Sequence, residues 1–481
     1  MVALSLLVPL FALLALAIVP APAALDLPWL LLGTRLVLDD TGRFFLGFTA
    51  LVWLVAAVYA RAYLRGDARR GVFNAFFVAT QIGNLGVCVA GDAASFYFFF
   101  ALMTFAAYGL VIHSGSQEAR RAANIYLAMA MLGEALLAAG MMMASHAAGS
   151  VLLVDIAKAP QTPVGMALLL AGFSIKVGVP LLHMWLPLAH PVAPVPASAA
   201  LSGVILKAGL LGWLRFLPLG HLAWPEAGAV LMTLGLVAIF LGVLFGLGQR
   251  NPKVVLAYSS ISQMGFMTLC VGAGLLQPAL WPTLLPAVTF YALHHALAKS
   301  ALFLGVGVAL AHGSRPWVLA GLALPALALA GFPGSSGFLA KLGLKAALAL
   351  PAPWPLLLAW LLPLAAIGTT GLMARLLWLV WRSDRHPHPV SGLAAPWLTL
   401  VGLGFVLPWW FAPIGATGAA ASLTLWLSVL WPVAVGGCLA WLAVGRTRWL
   451  WAPLPGDVLI LIEKLFRLIL KWSNNKKKAA A

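Results

Sequence analysis

Residues 173–216 read FSIKVGVPLLHMWLPLAHPVAPVPASAALSGVILKAGLLGWLRF, with Lys176 and Lys207 set inside stretches otherwise apolar enough to cross a membrane. A lysine near the bilayer centre costs roughly 2.5–3.5 kcal/mol on insertion scales. Such groups face a bundle interior or a water-filled path, where they serve protons, ions or substrates. The pattern returns downstream with His294, His295 and Lys299, and again with Lys341 and Lys345. One buried lysine fits an accident of packing; a series along successive helices points to an ion path.

Working outward, the 481 residues are 63% hydrophobic and 9% charged, with a mean hydropathy of +1.01. Soluble domains carry about 25% charged residues, so the composition is that of an integral membrane protein. Apolar runs near 20 residues recur along the whole chain, which excludes a soluble domain on a single anchor. Fourteen helices are expected, starting near residues 2, 36, 72, 93, 119, 163, 196, 228, 253, 284, 316, 354, 393 and 420. Strand alternation is absent, and lipid admits only helices or closed barrels, so the expected fold is an all-α bundle.

The net charge of +17 reads as topology rather than nucleic-acid binding. With the N-terminus in the cytoplasm, 19 of the 29 Lys and Arg fall on cytoplasmic loops and tail. Four (Arg35, Arg43, Lys158, Arg215) fall on the opposite side, and six (Lys176, Lys207, Lys299, Lys341, Lys345, Arg375) lie within helices. That asymmetry predicts cytoplasmic termini in the inner membrane of a prokaryote. Arg250 and Lys253 count as loop charges outside the path. Pro20–Ala24 ends the first helix like a cleavage region, but no positive n-region precedes it, so a retained helix is expected. Cys88, Cys270 and Cys438 stand alone, without CxxC or CxxCH, so neither iron–sulfur cluster nor haem is expected and no cofactor is assigned.

Two helices read as broken. Lys176-Val-Gly-Val-Pro180 puts Gly and Pro beside a lysine, and Gly331-Phe-Pro-Gly-Ser-Ser-Gly337 interrupts an apolar run before Lys341. Paired interruptions in two halves point to an inverted-repeat transporter with its site near the midplane. The expected units are N-terminal helices (1–71), a first five-helix repeat (72–217), a second (228–382), C-terminal helices (393–445) and a cytoplasmic segment (453–481). In that last segment, DVLILIEKLFRLILKW (457–472) is amphipathic, and Lys476–Lys478 would meet anionic lipid or a partner.

The stretch KVGVPLLHMWLPLAHPVAPVPASAALSGVILKAG resembles the signature of the antiporter-like subunits of respiratory complex I. Mrp-type cation/proton antiporters and membrane-bound hydrogenases share that signature. NPKVVLAYSSISQMGFM (251–267), HHALAKSALFLGVG (294–307) and LAGFPGSSGFLAK (329–341) match three further blocks in order. The resemblance covers roughly residues 36–382. It implies two inverted five-helix repeats, each with one broken helix, and a chain of buried charges through both. By position, Lys176 resembles the broken-helix lysine of the first half and Lys207 the bridging lysine of the next helix. His294 or His295 resembles the central histidine, and Lys341 the terminal lysine of the second broken helix.

Two departures matter. The family places a glutamate in a pattern like FFFFWE, whereas SFYFFFALMTF puts Ala101 there; WLPDAH becomes Trp185-Leu-Pro-Leu188-Ala-His190. Glu134 is then the only acid deep in a span, since Asp26, Asp39, Asp40 and Asp92 lie near helix ends. One helix, rather than two, precedes LVLDDTGRFFLGF, which suggests a distant branch.

Burial and a nearby carboxylate act oppositely on a lysine's proton affinity, so moving the pair switches it without a cofactor. The expected path is Glu134, Lys176, Lys207, His294, His295, Lys299 and Lys341, with one histidine of the pair facing it. His183 and His190 are candidates for the cytoplasmic intake. Lys299 and Lys345 could equally satisfy a backbone carbonyl or snorkel, and Arg375 anchors a helix end. Adjacent histidines point about 100° apart, so no metal site is expected. The leading function is a proton- or sodium-translocating subunit of a complex I-like, hydrogenase-like or Mrp-like membrane complex. Alternatives are a proton-motive-force coupling subunit for inorganic-carbon uptake, and a non-conducting scaffold. The chain carries no catalytic or redox centre of its own, so any enzyme activity would belong to the assembly.

Overall fold

The computed structural model describes residues 3–31, 33–383, 390–412 and 423–443. The amphipathic stretch 457–472 and the basic tail lie outside them. The chain is a multi-pass, mostly helical membrane protein. Eleven helices among the described residues are long and apolar enough to cross a membrane, and three shorter apolar ones accompany them. Each begins within four residues of an expected start.

The first half comprises α1 (Leu4–Ile18), α2 (Asp40–Tyr63), α3 (Arg70–Val89), α4 (Ala93–Val111), α5 (Gln117–Ala148), the short α6 (Leu153–Ile156) and α7 (Pro163–Val177). After a break come α8 (Trp185–Val192) and α9 (Val195–Ala200), then a π turn at Leu201–Ile205 and α10 (Leu206–Phe216). The second half holds α11 (Pro225–Leu247), α12 (Pro252–Leu276), α13 (Trp281–His312), α14 (Pro316–Ala330), α15 (Ser336–Ala347) and α16 (Trp354–Trp381). Two further helices follow, α17 (Ala394–Phe411) and α18 (Leu423–Ala443).

One expectation is corrected. Strands are present: β1 (Ala23–Leu27) and β2 (Thr34–Leu38) pair antiparallel between α1 and α2. The segment is far too short to span lipid, and it lies over helix ends, where Asp92 accepts the Arg35 amide at 2.7 Å. Its ladder satisfies backbone groups locally, as any segment beside a membrane must.

The acids at helix ends act as caps. Asp39 precedes α2 and accepts the Gly42 amide at 2.7 Å; Asp92 precedes α4 and accepts the Ser95 amide at 2.8 Å. Each occupies orphan N–H groups of a first turn. Arg43 donates to the Leu16 and Val19 carbonyls, 2.7 Å each, closing the end of α1.

The breaks fall where Gly and Pro predicted them. Helix α7 ends at Gly178, whose φ of 82° is left-handed, and Pro180 then denies the chain another helical amide. Helix α14 ends at Gly331 with φ 88°, and the Phe332 amide reaches back to the Leu327 carbonyl at 3.0 Å. Ser335 caps the restart, accepting the Phe338 amide. A 15-residue helix is about 22 Å long and cannot cross a 30 Å core, so both breaks lie inside the membrane.

The ends of α2 and α10 are tied by a bidentate pair in which both Arg215 amino groups donate to Asp39. Burial raises the Asp39 pKa, but the Arg215 hydrogen bonds and charge and the Gly42 amide outweigh it and hold the carboxyl below its usual range. A depressed folded-state pKa gives stability that is full above the unfolded value, about 3.9, and lost as pH falls through the folded one. Asp39→Asn should therefore lower the melting temperature at pH 7 in detergent. It should cost less below pH 4, and an unchanged gap between variant and parent at pH 7 and pH 3 would contradict this.

Candidate functional site

Glu134, His294 and Lys207 lie near the middle of their elements, whereas Lys176 lies at a helix end. Glu134 is seventeen residues from the start of α5 and fourteen from its end. His294 is thirteen residues into α13, a helix of the same 32-residue length. Lys207 lies near the middle of the continuous Val195–Phe216 span. Lys176 stands at the inner end of α7, and Lys341 is the sixth residue of α15.

Glu134 and Lys176 are both buried and share one small cavity of about 10 Å³, close to the least space that holds a water. Phe100 and Thr104 of α4, Tyr126 of α5 and Trp185 of α8 complete its walls. No ion pair or hydrogen bond joins the two charges directly among the described residues. The Lys176 Nζ donates instead to the Tyr126 hydroxyl at 3.5 Å and lies 5.4 Å from the Phe100 ring centre. Such a cation over an aromatic face gains electrostatic attraction. Glu134 Oε2 is buried without a hydrogen-bond partner. Trp185 donates to the Ile175 carbonyl at 2.8 Å, satisfying an acceptor that the break leaves open.

Lys207, Lys299 and the half-buried Lys341 end on main-chain carbonyls. Lys207 donates to Ser202 at 2.7 Å, inside the π turn. Lys299 donates to Leu256 of α12 at 3.0 Å. Lys341 donates to Ala330 at 2.7 Å, the last residue of α14, across the second break. There the ammonium faces the negative end of a helix dipole. A Cβ on Gly331 would meet the Lys341 side chain at 2.9 Å and displace it, while the φ of 88° itself favours glycine.

The histidines link these groups. His294 Nδ1 lies 2.8 Å from the Ser336 hydroxyl, at the first residue of α15. Both ring nitrogens of His295 are buried without partners, within electrostatic reach of Lys207 and Lys299. Neighbouring helices are stitched by short polar contacts: Ser202 to Ser260 at 2.7 Å and Tyr291 to Gln263 at 2.8 Å.

One site reading is corrected, that of Lys253, and the structure defines the burial of the others. Both histidines of the pair are fully buried; His294 lies within electrostatic reach of Lys341 and Lys207, and His295 of Lys207 and Lys299. His183 and His190 are also fully buried, so they lie beneath the surface rather than on it. Lys253 is no loop charge: it is 8% exposed, and its ammonium donates to the Ala193 carbonyl. Asn251 as cap with Pro252 at the first helical position was the available signal, placing Lys253 inside α12. Lys345 is exposed, and Lys341 itself is only half-buried, both lining a cavity of about 260 Å³ between α15, α16 and α18. Arg375 does serve as an anchor, donating to the Gln249 carbonyl at 2.9 Å and packing on Trp378.

A family described as NADH:quinone oxidoreductase/Mrp antiporter, transmembrane, matches residues 90–362, which hold Glu134, Lys176, Lys207, Lys253, the His294–His295 pair, Lys299 and Lys341 but not Arg375. The chain belongs to the NADH:quinone oxidoreductase/Mrp antiporter family. Relatives include hydrogenase-4 component B of Escherichia coli, 30% identical over 63% of this chain and 49% of its own length. NADH-quinone oxidoreductase subunit N of Desulforudis audaxviator is 31% identical over 65% of this chain and 66% of its own. The chain thus spans half to two thirds of the length of these curated relatives. In fold it is similar to a chain of the Mrp complex from Dietzia sp., with a TM-score of 0.80 and 24% identity over 99% of this chain and 57% of that one.

Members of an antiporter family that bury one acid beside one base should show coupled stability. Removing one partner leaves the other charge uncompensated, at about 3–5 kcal/mol for a contacting buried pair. Here the cavity separates the partners, so the coupling energy should be about 1–2 kcal/mol. Glu134→Gln should lower the melting temperature more than Glu134→Gln with Lys176→Met; additive losses would show that the cavity carries no charge coupling.

Proposed function

We propose that the chain is a proton-translocating, antiporter-like subunit of a multisubunit membrane complex. Its relay would run through Glu134, Lys176, Lys207, His295, Lys299, His294 and Lys341. What supports this reading is a series of buried ionisable groups on successive elements, Glu134, Lys176, Lys207, His294, His295 and Lys299, with Lys341 beside the second break. Apolar packing alone has no use for four such lysines with one acid.

Protons suit the site better than sodium. A hard cation takes several oxygen ligands, whereas this path is lined mainly by nitrogen groups that exchange protons. Glu134 would stand in for the acid missing at Ala101. Tyr97, Ala101 and Thr104 share the α4 face turned to α5, and the Tyr97 hydroxyl lies 3.5 Å from the Glu134 carbonyl. Residues 72–217 and 228–382 would form the two inverted repeats, with both termini cytoplasmic in a prokaryotic inner membrane. Partners would be other membrane subunits, as the names of the relatives suggest, with anionic lipid at the basic tail.

The test uses the protein, with whatever subunits copurify, in liposomes carrying a pH-sensitive dye. Lys207→Ala and Glu134→Gln should each cut proton flux by about 100-fold, the usual scale for losing a proton-transfer group, while assembly persists. Replacing external sodium with potassium should leave parent flux unchanged. Undiminished flux in both variants would favour the scaffold reading, and flux that requires sodium would reassign the ion.

A further inference from the structure

Resting on the proposed relay, we infer that a side branch, Lys253–His190–Lys299, joins the centre of the path to the membrane face at which α12 begins. Lys253 is the second residue of α12, and the loop before it, Arg250 and Asn251, is exposed. Its ammonium turns inward to the Ala193 carbonyl, at the end of α8. The proline-rich hinge explains that acceptor. Pro194 has no amide to return to the His190 carbonyl, and Ser198 fills the gap, its hydroxyl 3.1 Å from His190 O and 3.2 Å from Ala193 O. Lys253 completes the same knot of acceptors.

His190 lies between this lysine and the relay. Its ring stacks on Phe303 of α13 with centres 4.6 Å apart, one turn beyond Lys299. Both ring nitrogens are fully buried and without hydrogen-bond partners, and the ring lies within electrostatic reach of both Lys253 and Lys299. Buried polar atoms seldom stay unpaired, so these nitrogens are expected to hold internal water. Lys299 in turn meets α12 at Leu256, three residues past Lys253, and stands one turn from His295 on α13. The order from the face inward is therefore Lys253, His190, Lys299, His295. None of these steps passes through the Glu134–Lys176 cavity, so the branch would serve the centre of the molecule directly.

Glutamine at 253 separates a relay role from a structural one, because its amide still donates to Ala193 but carries no exchangeable charge. In the liposome assay, Lys253→Gln and Lys253→Ala should both lose flux by about tenfold or more with assembly intact. A Lys253→Cys variant alkylated to an aminoethyl thioether should regain it. Lys207→Ala is run alongside. Retained flux in Lys253→Gln while Lys207→Ala is inactive overturns the branch and leaves the relay standing. Retained flux in Lys207→Ala as well overturns the relay itself. If Lys253→Ala fails to assemble, the glutamine and alkylated-cysteine proteins still decide, and an experimental map of the parent without water at His190 would count against the branch.

Discussion

The structure depends on where helices are interrupted, because an interruption inside lipid creates backbone carbonyls that need donors. A regular helix satisfies its own carbonyls, and lipid offers nothing to replace them. Here the breaks at Gly178 and Gly331, the proline hinge at 191–196 and the π turn at Leu201–Ile205 each open acceptors in the interior. Lys207, Lys253 and Lys341 end on carbonyls at such places. The interruptions and the lysines are one device: each makes the other tolerable.

The choice of partner has a chemical consequence. A carboxylate beside an amine holds the proton firmly, whereas a neutral carbonyl stabilises the ammonium by a dipole alone. Lysines seated on carbonyls are therefore suited to passing protons on. This accords with the scarcity of acids deep in the spans: among the described residues the carboxylates apart from Glu134 lie at helix ends, in short connecting elements or in loops, as Asp39 and Asp92 do.

Much of this was legible in the sequence. Gly and Pro marked both breaks, hydropathy set the helices within four residues, and the lysines lay inside recognisable blocks. What escaped was decided by tertiary packing. The carbonyl that each lysine reaches belongs to a distant residue, as with Lys299 and Leu256, 43 positions apart. The π turn leaves no compositional trace in LSGVI; its Ser202 meets Ser260, and Ser300 donates to the Ala199 carbonyl just before it. Lys253 was misplaced by a boundary, and the β1–β2 hairpin by an apolar stretch too short to judge.

The two halves carry charge differently. The first pairs a base with an acid across a cavity, and the second sets lysines and histidines together with no acid deep in its spans. A proton reaching the first half can be neutralised locally, so its cost depends on the Glu134–Lys176 separation. In the second half each added proton is felt by His294, His295 and their lysines together, since like charges in a low dielectric repel over several ångströms. In the proposed relay, the first half would hold charge and the second would expel it. The half-buried Lys341, beside its 260 Å³ cavity, is the group placed to release it.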